Sequence, residues 1–227
     1  MYKSRRIKTN CHKITCTSIA LLAALCSTMV FAKEGERHIS LQQDVASAEL
    51  IRLRVPAGEV DIVGISGDNL VAEVTAVCKD EERQACLNLL KELGWVQKTG
   101  SIAEFSLMPA GATSFNDVTI KVKIGVPLDK KLEVNLSAGE LSITDTSACL
   151  MADLNAGEVN ITLKESQLAS AAISAKVGDV KLTTTEGGTI AGKRSLLVGA
   201  KQDWQKGTGH CHTRAKVLAG EVNLVLK

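Results

Sequence analysis

Apolar and polar side chains alternate along five segments of this chain, and each segment is centred on a glycine followed by an acidic residue. Apolar residues stand seven, five, three and one positions before the glycine and two and four after it, with Thr213 as the one exception. Alternation with a period of two is typical of strands that bury one face. The five pairs are Gly58 and Glu59, Gly139 and Glu140, Gly157 and Glu158, Gly178 and Asp179, and Gly220 and Glu221.

The alternation shifts by one position where it crosses each glycine. A straight strand would put the acidic residue on the buried face, so an extra residue must be accommodated and the strand must bend. Glycine permits the backbone conformations that such a bend requires. Each segment is therefore predicted to be a strand, a corner and a second strand, with the alanine before the glycine pointing into a narrow core. These alanines are Ala57, Ala138, Ala156 and Ala219.

The spacing of the five glycines predicts how the segments assemble. Successive glycines are 81, 18, 21 and 42 residues apart, and the last interval is twice 21. Repeats of this length cannot bury a face alone and stack on their neighbours. The predicted fold class is all-β, a β-solenoid or β-helix-like stack of short strands, and the alternative is a β-sandwich.

The long first interval is predicted to hold a helical insert and an extra pair of strands. Apolar residues recur at helical spacing over residues 80–93, and Gly94 follows. The extra strands are expected over residues 102–107 and 118–126. Cys78 and Cys86 flank the start of the helix, and the sequence predicts a disulfide between them. Cys149 and Cys211 are expected to be free, buried cysteines, and the alternative is a second disulfide between them.

The first 32 residues have the pattern of an export signal. A basic start precedes an apolar run over residues 14–31, and small residues lead up to Ala32. We expect cleavage after Ala32, which leaves residues 33–227 as a single β-repeat domain in the periplasm or outside the cell. The alternatives are an uncleaved anchor and lipoprotein processing at Cys26. No stable membrane span is expected after cleavage.

The charge balance changes once this segment is set apart. The chain of 227 residues has a formal net charge of +2, and residues 1–32 hold five basic and no acidic residues. The remaining residues carry 22 basic and 25 acidic groups. Aromatic residues are only 3% of the chain. A mildly acidic body with few stacking side chains disfavours a nucleic-acid partner.

The glycine–acid repeats behind an export signal resemble those of the bacterial putative-adhesin family of extracytoplasmic β-repeat domains of unknown function. Residues 126–134 are similar to that family's lead-in to a repeat, and residues 204–209 are similar to its terminal segment. The resemblance covers roughly residues 45–227. It implies a β-solenoid or roll, and it implies no established activity or catalytic residues.

Two clusters are candidate metal ligands. The corner acids Glu140, Glu158 and Asp179 would form a carboxylate ladder if the repeats stack, and such a ladder suits calcium. The more economical interpretation is a solvated corner that discourages edge-to-edge association. The histidines of His210-Cys211-His212 would share one face of a strand, but no further ligand pair has diagnostic spacing. No metal and no cofactor is therefore predicted.

No catalytic constellation is recognisable in the sequence. The outward positions four before and three after each glycine gather no paired carboxylates, and the usual nucleophile, phosphate-loop and zinc-protease motifs are absent. The function predicted is an exported, non-enzymatic, adhesin-like module of the envelope. Its partner would be an envelope protein, a glycan or a second copy of the chain. Self-association would use the uncapped end at residues 222–227. The alternatives are a carbohydrate-active β-helix enzyme and a metal-dependent binding module.

Overall fold

The strands follow the alternation of apolar and polar residues. The computed structural model describes residues 35–80, 83–108, 115–195 and 198–227, so the predicted signal segment and its cleavage point lie outside the described residues. The described chain is all-β with one α-helix, and its strands form one large sheet that does not close. The elements are β1 (Glu36–Asp44), β2 (Leu50–Ile65), β3 (Asn69–Cys78), α1 (Gln84–Glu92), β4 (Gly94–Lys98), β5 (Ile102–Met108), β6 (Val118–Pro127), β7 (Lys131–Thr144), β8 (Leu150–Leu163), β9 (Leu168–Thr183), β10 (Thr189–Ala191), β11 (Lys193–Ser195), β12 (Gly199–Trp204) and β13 (Cys211–Leu226).

Five long strands contain the glycine–acid pairs, and they lie parallel and in register. β2 pairs with β7, β7 with β8, β8 with β13, and β13 with β9. In every pairing the corner glycine of one strand is the register partner of the corner glycine of the next. The part of each strand before the glycine is called the first arm below, and the part after it the second arm.

Both arms bury their inward side chains in one core. In β7, for example, Leu132, Val134 and Leu136 of the first arm are 1–2% exposed, and Leu141 and Ile143 of the second arm are fully buried. Burial of one such side chain contributes roughly 1.5–3 kcal/mol, so the repeated pattern is the main source of stability.

Thr213, the exception to the apolar pattern, is also inward and is only 2% exposed. Its hydroxyl donates a hydrogen bond of 2.5 Å to the carbonyl oxygen of Ala148. A buried polar group costs little when it is paired in this way, because its hydrogen bond replaces the one lost to water. The polar side chain therefore fits the core without breaking the strand.

The prediction that the corner alanines point into the core is wrong. Ala138, Ala156 and Ala219 are exposed, and Ala57 is half-buried. The last inward residue stands three positions before the glycine and the next stands two positions after it. The positions between them form the outside of the bend, so the extra residue falls within a four-residue corner rather than at the acidic position alone.

The spatial order of the strands differs from their order in the chain. β13 lies between β8 and β9, although it is the last strand in sequence. Its second arm is paired on both sides up to Val225. The edge predicted at residues 222–227 for self-association is therefore already occupied by neighbouring strands of the same chain.

The insert lies beside β2 and contains one short helix. The predicted strands at 102–107 and 118–126 correspond to β5 and β6. Strand β5 pairs with the first arm of β2, and β6 pairs with its second arm. Helix α1 is shorter than the predicted span of 80–93, and residues 81–82 are not described. It ends because Leu93 adopts an extended conformation rather than because of Gly94, which begins β4. Cys78 and Cys86 form a disulfide with Cα atoms 5.9 Å apart.

Candidate functional site

The five corner glycines form one column in which there is no room for a side chain. Their φ angles lie between 125° and 142°, a range that other residues rarely adopt. A Cβ atom on Gly157 would lie 1.8 Å from the carbonyl oxygen of Gly139, and one on Gly220 would lie 1.7 Å from that of Gly157. Both the backbone angle and the close approach of the next strand therefore require glycine. The sequence repeats glycine here because of the fold.

The acidic residues beside the glycines stack in the order Glu59, Glu140, Glu158, Glu221 and Asp179. The predicted ladder of Glu140, Glu158 and Asp179 is therefore interrupted by Glu221. Among the described residues, no three carboxylates converge in the way that a metal ion would need.

Cations and amides of neighbouring strands contact four of these five acids. Lys121 lies 2.8 Å from Glu59, and the hydrogen bond to that carboxylate raises the pKa of Lys121. Arg194 lies 3.4 Å from Asp179, and Lys181 lies 3.9 Å from Glu221. Glu158 accepts a hydrogen bond of 3.1 Å from the Asn223 amide. These contacts are typical of a solvated surface edge.

The prediction that Cys149 and Cys211 are free is wrong, because the structure joins them in a disulfide with Cα atoms 4.5 Å apart. The two residues precede β8 and begin β13, so the bond ties neighbouring first arms together at one end. Sequence spacing did not reveal this pair, since 62 residues separate them.

The Cys149–Cys211 disulfide also decides whether the cysteine–histidine cluster around it can bind a metal ion. One ligand atom each of Cys149, His210 and Cys211 lie within 4.8 Å of one another. Two sulfur atoms that are bonded to each other offer no thiolate, and the thiolate is the form that binds a metal. His212 is exposed, and its Nδ1 shares a hydrogen bond of 2.8 Å with the Ser170 hydroxyl.

The first-arm face, meaning the outward side chains of the first arms and the strands beside them, carries an ion-pair network at one end. Arg52 contacts Glu104 at 2.5 Å and Glu133 at 2.9 Å, and the three side chains are 19–28% exposed. The hydrogen bond from Arg52 holds the pKa of Glu133 below its ordinary value, against the opposing effect of burial. Arg52 thus pairs with two neighbouring carboxylates, and Glu104 also lies 3.9 Å from Arg54.

The second-arm face, meaning the outward side chains of the second arms and the strands beside them, carries an apolar groove of about 610 Å³. Val63 and Val71 on its walls are 46% and 37% exposed. Asp61, Lys123 and Glu73 cross it in one row, because Lys123 of β6 is the register partner of both acids. The groove is lined by Asp61, Ile62, Val63, Ile65, Val71, Glu73, Lys123, Ile124, Gly125 and Ser142.

A second groove, of about 430 Å³, lies on the first-arm face where β12, β9 and β13 run side by side. It is called the basic groove here, because three of its lining side chains are cationic and none is acidic. Sequence reasoning missed it, since its walls belong to strands that become neighbours only when β13 inserts beside β9. It is lined by Met151, Ser170, Ala172, Ile173, Ser174, Lys201, His212, Thr213, Arg214 and Lys216.

In the part of the chain that the structure describes, no helix is long and apolar enough to cross a membrane. The longest is α1, with nine residues.

Comparison with known proteins finds no matching family model, and no curated protein matches the chain. Several solved structures align with it, including the three that follow. A putative cell adhesion protein from Clostridium sporogenes ATCC 15579 is 14% identical, with 85% of this chain and 100% of that one covered and a TM-score of 0.47. Putative adhesins from Parabacteroides merdae ATCC 43184 and Parabacteroides distasonis ATCC 8503 are 14% and 11% identical, with TM-scores of 0.25 and 0.26.

These alignments cover 57% of this chain and 54% of the Parabacteroides merdae protein, and 83% of this chain and 70% of the Parabacteroides distasonis protein. At such identities and TM-scores they carry neither fold nor function over to this chain.

Proposed function

We propose that this chain is an exported, non-enzymatic β-repeat protein that acts as an adhesin-like contact module in the bacterial envelope or at the cell surface. The observation that carries the proposal is the pair of outward sheet faces. Each face presents a groove to solvent. On the first-arm face, Glu104 and Glu133 form ion pairs with Arg52. A surface of this kind suits recognition by contact better than acid–base chemistry.

The arrangement of the strands supports a solenoid-like fold within this proposal. Five parallel strands pair in register through their glycines, as stacked repeats do, whereas sandwiches are built mainly from antiparallel sheets. The same glycine–acid pairs carry the resemblance to the putative-adhesin family, so we assign the chain to that family as part of the proposal.

Export is supported by the cysteines and by the beginning of the chain. Disulfides persist in oxidising compartments, and the two pairs here, Cys78 with Cys86 and Cys149 with Cys211, are both bonded. Residues 1–32 have the basic, apolar and small-residue order of a cleaved signal. The working protein would then be residues 33–227, located in the periplasm or outside the cell.

Site-specific photo-crosslinking in living cells tests the proposal. A photoreactive residue replaces Val63 in the apolar groove, Lys216 in the basic groove or, as a matched control, the exposed corner residue Ala138. We expect discrete crosslinks to envelope proteins or glycans from one or both groove positions and none from the corner. Equal labelling at all three positions, or no crosslink from either groove, would contradict a contact function.

A carbohydrate-active enzyme is the second candidate, and one observation favours it. Asp61 and Glu73 line the same groove two strands apart, which places their Cα atoms about 9.6 Å from each other. Lys123 lies between them in the register, and no lining residue is a Phe, Tyr or Trp against which a sugar could stack. Hydrolysis of cell-wall or capsular glycans that is lost in Glu73→Gln would establish this activity, and intact glycans after long incubation would exclude it.

A further inference from the structure

We propose that the basic groove binds a linear acidic glycan, a chain of sugars that carries carboxylate, sulfate or phosphate groups. The inference names a partner class for the contact function and so rests on the proposed function. It starts from the shape of the groove. Ser170, Ala172 and Ser174 of β9 point outward at alternate positions and are all small, so they form a floor about 13 Å long between the longer side chains of β12 and β13.

Cations stand on both walls of this floor. Lys201 of β12 and Lys216 of β13 are both register partners of Ser174, so their Cα atoms lie about 9.6 Å apart across the groove. Arg214 stands two residues from Lys216 on the same wall, and all three side chains are exposed. Lys193 of β11 is the register partner of Lys201 and continues the row of cations outward. A chain lying on the floor would therefore meet positive charge on both sides.

The local charge runs against that of the whole body. Residues 33–227 carry three more acidic than basic groups, yet no acidic residue lines this groove. Two acids stand beside it: Asp203 of β12, the register partner of Ala172, lies 3.0 Å from Lys201, and Asp153 of β8 is the register partner of Lys216. These two acids offset part of the positive charge of Lys193, Lys201, Arg214 and Lys216, and an excess of cations remains around the groove. An anion is attracted to such a patch even though the protein as a whole is acidic.

The chemistry of the floor favours a glycan over other polyanions. The Ser174 hydroxyl can donate and accept hydrogen bonds, as sugar hydroxyls require, and the Ser170 hydroxyl, which already shares one with His212, keeps acceptor capacity. An extended acidic peptide would add to a free sheet edge, but β9 and β13 are hydrogen-bonded on both sides here. Single-stranded nucleic acid is held by aromatic stacking, and no Phe, Tyr or Trp lines the groove.

Binding of defined polymers to the purified protein with both disulfides formed tests the inference. The probes are polygalacturonate, dextran sulfate and dextran phosphate, which carry the three kinds of anion on sugar chains, with neutral dextran as the uncharged control. The groove variant is Lys201→Gln/Arg214→Gln/Lys216→Gln. The matched control is Lys121→Gln/Lys164→Gln/Lys181→Gln, which removes the same charge from exposed lysines that line neither groove. Thermal unfolding of each variant verifies that the fold is retained.

We expect at least one acidic polymer to bind in preference to neutral dextran, with an affinity that falls as salt increases. The groove variant should lose at least tenfold in affinity, and the matched control should stay within twofold. Equal losses in both variants would overturn the inference, because they would show attraction to net charge alone. Failure of all three acidic polymers to bind would overturn it as well.

Further outcomes distinguish the glycan site from a site for other polyanions and from the proposed contact function. Tighter binding of poly-L-glutamate or of a single-stranded oligonucleotide than of any acidic glycan would overturn the glycan assignment. If the acidic glycans fail while cellular crosslinks from Val63 persist, the glycan site is refuted and the contact function stands. If no acidic glycan binds and no cellular crosslink forms from either groove, the glycan site and the proposed contact function are both refuted.

Discussion

The corner and the outward faces belong to the same five strands, but their residues follow different rules. At the corner, every strand has the same glycine followed by an acid. Four positions earlier, on the first-arm face, the five strands have five different residues: Arg54, Asn135, Asp153, Lys216 and Ser174. The corner glycine meets the backbone of the next strand, whereas the outward side chains meet solvent.

This difference separates residues that specify the fold from residues that are free to carry function. A repeated residue in a column marks a backbone constraint that all strands share. A varied row is not restricted in this way, so it can bring together a basic groove at one end of a face and an arginine–carboxylate network at the other.

Gly157→Ala should have the largest effect. The new methyl group would lie 1.8 Å from the Gly139 carbonyl oxygen, and the φ angle of 132° is itself unfavourable for alanine. We expect a loss of more than about 4 kcal/mol in the free energy of unfolding, or no folded protein. Denaturant unfolding of the purified variant measures this loss.

Gly67→Ala is the matched control for that substitution. Gly67 has a φ angle of 98°, but a Cβ there would meet nothing within 4 Å. Only the backbone cost applies, so the loss should be about 1–2 kcal/mol. Similar losses in the two variants would refute the claim that close stacking of the corner explains the repeated glycine.

Removal of the Cys149–Cys211 disulfide tests what holds the inserted β13 in place. Its 62-residue separation predicts a loss of about 4 kcal/mol for the double Cys→Ala variant, against about 2.5 kcal/mol for the eight-residue pair Cys78 and Cys86. The longer loop has more entropy to lose in the unfolded chain. Urea unfolding without reductant compares the two, and a larger loss at Cys78 and Cys86 would be the opposite of this prediction.

Glu133→Gln should have a moderate, pH-dependent effect on the first-arm face. The pKa of Glu133 is lowered in the folded protein from its ordinary value of 4.5, so its ionised form stabilises the fold above that pH. We expect the variant to be about 1 kcal/mol less stable at pH 7. The difference should disappear as the pH falls through the lowered pKa, because the wild type then loses the same contribution. A difference that stayed constant down to pH 2 would argue against the Arg52 contact as its cause.

Glu140→Gln at the corner should have the smallest effect. Its side chain is exposed, so we expect a change of less than about 0.5 kcal/mol. Millimolar calcium chloride should leave the Tm of the wild type unchanged, since no three carboxylates converge among the described residues. A rise in Tm with calcium that Glu140→Gln abolishes would instead reveal a cation site at the acid column.

Local signals predicted the strands and the corners, because alternation and glycine act over a few residues. They predicted the bounds of β5 and β6 to within one residue, and they predicted a bend at each glycine–acid pair. The corner alanines were misplaced, since the pattern does not show how many residues the bend occupies. Strands β1 and β3 were not predicted. Only Ile39 and Leu41 of the nine residues of β1 are apolar, although half-buried and exposed residues alternate along it.

The basic groove and the Cys149–Cys211 bond could not be predicted from local signals. Both depend on β13 passing between β8 and β9, which is decided by contacts between residues more than 40 positions apart. The spacing of 42 between the last two glycines equally allowed β13 to stack after β9. The sequence therefore predicted the repeat unit but not the order in which the repeats assemble.

The order of the strands is the claim on which the column, the groove and the second disulfide all depend. Engineered disulfides measure it directly. Asn160 and Asn223 are register partners on β8 and β13, while Asn160 and Lys181 are two strands apart. Oxidation should crosslink the double variant Asn160→Cys/Asn223→Cys, because adjacent strands lie within disulfide reach. The double variant Asn160→Cys/Lys181→Cys should stay uncrosslinked, because its two positions are separated by β13. Peptide mapping that finds the bond in this second variant and none in the first would contradict the strand order.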